Sequence, residues 1–191
     1  ALNDLQLESI TGLSCLPREL TLCSSKLEVL EICNCNDFLK LWESGIGLQT
    51  LTCIRRLVIA DCESLVCLVD NDQQLPSNLE VLELFRCATL CFLPPDLSSL
   101  MSLRELIIKN CPKLMTFPEL GLPPMLRRLE IQACNALNAL PNGISGLERL
   151  ELKDCSSLRA WPAGNFPTSL KKFVIKKCEH PQPVSQEMFH Q

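Results

Sequence analysis

A chain of 191 residues that is 47% apolar and 21% charged can bury a core without staples and is too hydrophobic to stay disordered. Its net charge of −4 and the absence of any apolar run near ~20 residues argue against a nucleic-acid-binding basic domain and against a membrane span. The first element in chain order is Leu2-x-x-Leu5-x-Leu7-x-x-Ile10. Its spacing returns as Leu27, Leu30, Ile32, Cys35; Ile54, Leu57, Ile59, Cys62; and Leu79, Leu82, Leu84, Cys87. It continues as Leu103, Leu106, Ile108, Cys111; Leu126, Leu129, Ile131, Cys134; Leu147, Leu150, Leu152, Cys155; and Leu170, Phe173, Ile175, Cys178.

Four fixed positions in eight registers, with starts near 2, 27, 54, 79, 103, 126, 147 and 170, identify the leucine-rich repeat. Each template alternates apolar and polar residues at period two, which predicts a short strand that cannot bury its apolar face alone. Stacked in parallel, eight copies predict an α/β-type solenoid over residues 1–178: a horseshoe of short parallel strands and irregular coil with little helix. A second set of anchors follows each strand, as in Leu65 and Leu68, Leu90 and Leu93, Leu114 and Phe117, Leu137 and Leu140, Leu158 and Trp161. Proline after Leu93, Phe117, Leu140 and Trp161 predicts that the chain turns there across the outer face. Leu41-Trp42 and Leu68-Val69 lack that proline, and the long interval before Ile54 predicts an enlarged outer loop. Pro95-Asp96-Leu97-Ser98-Ser99-Leu100 is the best candidate for a helical turn or two. Residues 179–191 are polar and Pro-broken and read as a C-terminal cap or tail. The opening residues form a full template without a polar cap and without Met, so further repeats or another domain are expected before them, and the chain reads as the C-terminal part of a larger protein.

Seven of the thirteen cysteines, Cys35, Cys62, Cys87, Cys111, Cys134, Cys155 and Cys178, share one repeat position. Evenly stacked small thiols at that slot read as core filler kept free in a reducing compartment, not as a disulfide framework. Catalytic chemistry is not expected. His180 and His190 both fall in the tail, where no scaffold pins them for acid–base work. Cys33-x-Cys35, Cys62-x4-Cys67 and Cys87-x3-Cys91 resemble metal-ligand pairs, but the repeat explains the ladder members and strand alternation sends Cys33 to the other face. No phosphate-binding glycine motif occurs, so neither a cofactor nor a metal is expected in this piece.

Function then falls to the expected concave face. The positions flanking the second Leu and following the Ile are expected to point outward. The first column runs Asn3, Glu28, Arg55, Glu80, Arg104, Arg127, Glu148, Lys171, and Glu28–Arg55–Glu80–Arg104 alternate in sign, as either a neutralising surface ladder or part of a binding face. The column within the strand runs Gln6, Glu31, Val58, Glu83, Ile107, Glu130, Glu151, Val174. The column after the Ile runs Glu8, Cys33, Ala60, Phe85, Lys109, Gln132, Lys153, Lys176. Phe85, exposed beside Val58, Ile107 and Arg86, is the candidate anchor, although single exposed apolar groups are also ordinary. The protein-binding candidates are therefore Glu31, Arg55, Val58, Glu83, Phe85, Arg86, Lys109, Arg127, Glu130, Lys153, Lys171 and Lys176. Charge drifts from acidic in residues 1–95 to basic in 96–191, with Lys171, Lys172, Lys176 and Lys177 on the last strand, which favours contact with an acidic protein segment.

The string L-x-x-L-x-I-x-x-C-x-x-L-x-x-L/F-P with Gly-Leu-Pro linkers resembles the C-terminal repeats of plant nucleotide-binding leucine-rich-repeat resistance proteins. Leu103-Arg-Glu-Leu-Ile-Ile-Lys-Asn-Cys-Pro-Lys-Leu-Met-Thr-Phe-Pro118 and Gly121-Leu-Pro-Pro-Met-Leu-Arg-Arg-Leu-Glu-Ile131 carry it best. The resemblance covers residues 2–178. It implies a cytoplasmic immune receptor whose repeats sense a pathogen effector or a guarded host protein and restrain a nucleotide-binding module. By it, ADP or ATP would bind in that module, outside this chain. Substrate-recognition subunits of ubiquitin ligases are the alternative; they usually have a helical outer half and a second fixed Cys, missing here. Bacterial secreted effectors have Leu-Pro repeats too, but nearer 20 residues and with Asn in the ladder.

Overall fold

The computed structural model describes residues 2–23, 26–43, 51–159 and 167–178. Among them each template forms one five-residue strand: β1 (Asp4–Glu8), β2 (Val29–Cys33), β3 (Arg56–Ala60), β4 (Val81–Phe85), β5 (Glu105–Lys109), β6 (Arg128–Gln132), β7 (Arg149–Lys153) and β8 (Lys172–Lys176). They pair in parallel in strict sequence order, and equivalent template positions face each other, as in Leu30↔Leu57↔Leu82↔Leu106. The expected solenoid is the fold observed. Its cause is the fixed spacing: one apolar pattern, repeated, puts every core Leu or Ile on one side and finds its partner only in the next copy.

The strand ends explain why the Cys slot works. The residue just before each strand offers its carbonyl to two amides of the following copy, as Glu28 does to Arg55 and Arg56, at 2.7–3.1 Å throughout. Just past the strand stands a residue in left-handed conformation: Ser9, Asn34, Asp61, Arg86, Asn110, Ala133, Asp154 and Lys177, with φ of 50–56°. Seven of their amides donate to the next copy's last strand carbonyl at 2.8–3.0 Å, so the ladder runs one residue beyond each strand. That twist reverses the alternation. The following Cys therefore turns into the core instead of away from it.

Cys35, Cys62, Cys87, Cys111, Cys134 and Cys155 are fully buried. Each ladder thiol lies 3.4–3.6 Å from the carbonyl two residues earlier and 3.7–4.0 Å from a strand carbonyl of the preceding copy. Burial holds Cys62 and Cys155 up at about 11 and Cys134 at about 12, and Cys87 is raised further by its neighbour Cys111 as well as by burial. Such thiols are protonated at neutral pH and poor nucleophiles. Cys178, two residues past the last described strand, departs from the rest and is only half-buried.

The return paths are held by their own main-chain bonds, such as Leu16 and Leu41 amides to Leu41 and Leu68 carbonyls at 3.0 and 2.8 Å. The second anchors from Phe38 and Leu41 to Leu158 are buried with the strand residues in one continuous core; Phe117 packs against it partly buried. Where proline is missing, Trp42 fills the space, 2% exposed, and its indole N–H donates to the Gln74 carbonyl at 3.1 Å. Gly121, at φ +83°, lets the linker touch the next copy: a Cβ there would sit 2.6 Å from the Asn142 carbonyl oxygen. The expected helical turn at residues 95–100 is present as one 3-10 turn, Leu97–Ser99, matched by another at Ile144–Gly146, but the α-helix found among the described residues, α1 (Arg18–Cys23), lies in the first return path, where none was expected. Pro17 immediately before it presets the backbone for a helix start. The predicted anchor Trp161, the enlarged loop at 44–50, and the tail 179–191 with its histidines lie outside the described residues.

Candidate functional site

The open face of the sheet consists of the first, third and fifth residues of every strand, since period two sends these away from the core. Its centre column holds Gln6, Glu31, Val58, Glu83, Ile107, Glu130, Glu151 and Val174 in register. Neighbouring side chains cover it more deeply than the sequence suggests. Val58 is 7% exposed and Ile107 5%, and the Glu130 and Glu151 carboxylates are 5% and 4% exposed.

Buried carboxylates need partners, and cations on the flanking columns supply them. Glu130 receives Arg128 at 2.8 Å and Lys109 at 3.1 Å, and Arg128 also reaches Glu105 at 3.6 Å. Its register neighbour Glu151 receives Arg149 at 3.3 Å and Lys172 at 3.4 Å. Burial alone would raise Glu151, but the hydrogen-bonded Arg149 and Lys172 cations outweigh it and hold the group below the usual carboxylate range. Across β3 and β4, Arg56 clasps Glu83 through Nε at 3.1 Å and Nη2 at 2.7 Å, which keeps Arg56 protonated beyond its ordinary range.

These pairs reveal a column absent from the sequence reading: Asp4, Val29, Arg56, Val81, Glu105, Arg128, Arg149 and Lys172, the first residue of each strand. Arg56, Arg128 and Lys172 make most of the ion pairs that join neighbouring strands, and Arg128 and Arg149 also pair with the centre-column Glu of their own strand. The parity rule itself marks them, because they stand two residues before the centre column and directly flank the second Leu, whereas the expected first column of Asn3, Glu28, Arg55 and their equivalents lies one residue earlier. Arg55, Arg127 and Lys171 therefore sit on the N-terminal rim of the strands and not on the strand face. Arg127 turns its guanidinium onto the carbonyls of Leu126 (3.1 Å), Pro124 and Gly146 (both 3.4 Å). The expected alternating ladder does not form: among the described residues Glu28, Arg55, Glu80 and Arg104 make no ion pair with one another, and the rim pair found is Lys171–Glu148 at 3.6 Å. Rim and first column together line a depression of about 450 Å³ that includes Arg104, Arg127, Arg128 and Arg149.

Phe85 also needs revising. It is half-buried on the last strand position, and Lys109 Nζ stands 5.9 Å from its ring centroid, so a cation caps the ring and part of its edge stays open. Arg86 occupies the left-handed position after β4 and forks onto Asp61 at 2.7 and 2.9 Å. That bond holds Asp61 below the usual carboxylate range, but both side chains are well exposed, so its contribution is small. Lys153 and Lys176 lie on the open face where expected, at the ends of β7 and β8. Cys33 shares that face, half-buried; burial and then Glu31 and Glu8 raise its pKa. Among the described residues no group of three His, Cys, Asp or Glu is placed to hold a metal ion.

No family model matches this chain, and no curated protein does. Among solved structures it is similar to the leucine-rich repeat domain of the type III effector XCV3220 (XopL). The two share 24% identity with a TM-score of 0.67, over 94% of this chain and 70% of that one. With the in-order parallel ladder, that likeness shows the fold: a leucine-rich-repeat solenoid with almost no helix.

Proposed function

We propose that the chain is a non-catalytic protein-recognition region that binds its partner on the open face of the sheet. The observation that carries the reading is the face itself. Eight copies of a cheap, self-supporting backbone present three columns of side chains that the core does not use, and those columns differ from copy to copy while the inner residues do not. Half-buried Phe85 beside Val58, Ala60 and Ile107 offers an apolar anchor, and Arg128, Arg149 and Lys172 offer oriented polar contacts around it.

In its finer form the proposal is a cytoplasmic plant immune receptor. Its repeats would sense a pathogen effector or a guarded host protein and contact the receptor's nucleotide-binding module to restrain it. The Cys slot joined to Leu-Pro ends supports this form. A nucleotide-binding module encoded upstream would favour it, an F-box would favour the ubiquitin-ligase alternative, and a catalytic-Cys ligase domain would favour a secreted effector.

The test is titration of the purified chain with candidate effectors, guarded proteins and the nucleotide-binding module. Phe85→Ala and the pair Arg128→Glu/Arg149→Glu should each weaken binding at least ten-fold, with folding checked by circular dichroism. Phe92→Ala, on an exposed return path, should leave it unchanged. Full affinity in both open-face variants overturns the assignment.

A further inference from the structure

The open face changes character along the ladder. At one end β1 and β2 carry Asp4, Glu8 and Glu31, which make no ion pair among the described residues. The middle presents half-buried Val29, Val81 and Phe85 over buried Val58, Ala60 and Ile107, a strip of little net charge because Arg56 offsets Glu83 and, on β5, Lys109 offsets Glu105. The other end carries Lys153 and Lys176, also without an ion pair among the described residues, beside Lys172, which shares Glu151 with Arg149. The acids of the later strands, Glu105, Glu130 and Glu151, are already engaged by cations and cannot offset those lysines. The field left over is bipolar, with its poles about 34 Å apart at seven strand spacings.

We propose that this face holds one protein segment laid across the strands, basic where it overlies β1 and β2, apolar over β3 and β4, where it meets Val81 and Phe85, and acidic over β7 and β8. The proposal rests on the reading of the open face as a protein-binding surface. About ten extended residues span the distance. A uniformly basic segment is repelled by the lysine end and a uniformly acidic one by Asp4, Glu8 and Glu31, so charge order selects the partner while the apolar centre anchors it. The occupant is thus distinguished by its pattern and not by its net charge.

Four 12-residue synthetic peptides test this by calorimetric titration into the 191-residue chain at low salt. One is bipolar with Leu-Phe-Leu at its centre, two share that centre but carry uniformly basic or uniformly acidic ends, and the fourth is bipolar with Gly-Ser-Gly instead. The bipolar apolar peptide should bind at least ten-fold tighter than each of the others, with the advantage over the uniform pair shrinking at high salt. Lys153→Glu/Lys176→Glu should cost that peptide at least ten-fold and improve the uniformly basic one. A photo-crosslinker on its acidic end should label β7 or β8. Equal binding of all four, no measurable binding, or labelling of β1 or β2 by the acidic end overturns the bipolar assignment. The broader recognition reading is decided separately, by Phe85→Ala and the paired arginine variant against whole candidate proteins.

Discussion

Strands β1–β4 and β5–β8 share one backbone and differ in what they do with the face that the core leaves over. Both halves have the same register, a left-handed residue after every strand and, from the second copy on, a thiol at the slot that follows it, the first copy carrying exposed Ile10 there. In the first half the centre column mixes Glu31 and Glu83 with Gln6 and Val58, and Glu31 has no ion partner among the described residues. In the second, Glu130 and Glu151 lie nearly buried in a lattice of Lys109, Arg128, Arg149 and Lys172. The difference teaches that stability and surface chemistry are separable in this fold. The inner residues keep the ladder together, and the outer columns are free to vary as long as any buried charge finds a neighbour.

The largest effect tests the sameness of the two halves. Leu82→Ala in β4 and Leu129→Ala in β6 remove fully buried side chains at the same template position. Each should cost about 3 kcal/mol in urea denaturation. A gap of more than ~1 kcal/mol between them would mean that the copies are not equivalent inside.

The difference between the halves is next. Glu151→Gln removes a carboxylate serving both Arg149 and Lys172 and should cost about 1–2 kcal/mol, because those cations stay partly hydrated. Glu31→Gln should change stability by less than ~0.5 kcal/mol. Equal losses would dissolve the contrast.

Acidity sharpens the same comparison. Glu151 is held below its unfolded value, so its stabilisation is fully present above about pH 4.5 and is lost as pH falls through the lower folded value. Thermal melts at successive pH values should show this decline in the native chain and a shallower one in Glu151→Gln.

The smallest effect concerns the left-handed turn. The first half fills it with Ser9, Asn34 and Asp61 before Arg86, while the second includes Ala133 and Lys177. Asn and Asp tolerate that conformation and Ala does not, so Ala133→Gly should stabilise by about 0.5–1 kcal/mol. A loss of stability would show that the turn is not strained there.

The contrast also marks what sequence makes legible. L-x-x-L-x-I-x-x-C identifies every strand and every ladder thiol, because burial by a periodic pattern is a property of spacing alone. Arg56, Glu105, Arg128 and Arg149 escape that reading although the parity rule contains them, since the template's first variable position looks like part of the strand and is in fact its rim. Burial of Glu130 and Glu151 was not legible at all. It depends on flanking long side chains of neighbouring copies folding over the centre column, a contact between residues 2 to 21 positions apart. The α-helix at Arg18–Cys23 escapes for a related reason: beyond their anchors and prolines the return paths vary in length and sequence, so no column of equivalents reinforces a local preference.

The ladder thiols have one further consequence. Each satisfies itself on a carbonyl of its own copy and one of the copy before, and never needs a unique counterpart elsewhere. Every internal seam is therefore chemically interchangeable with every other. A copy added or removed at such a seam would meet the same pair of carbonyl acceptors for its thiol on either side, whatever its outer columns carry.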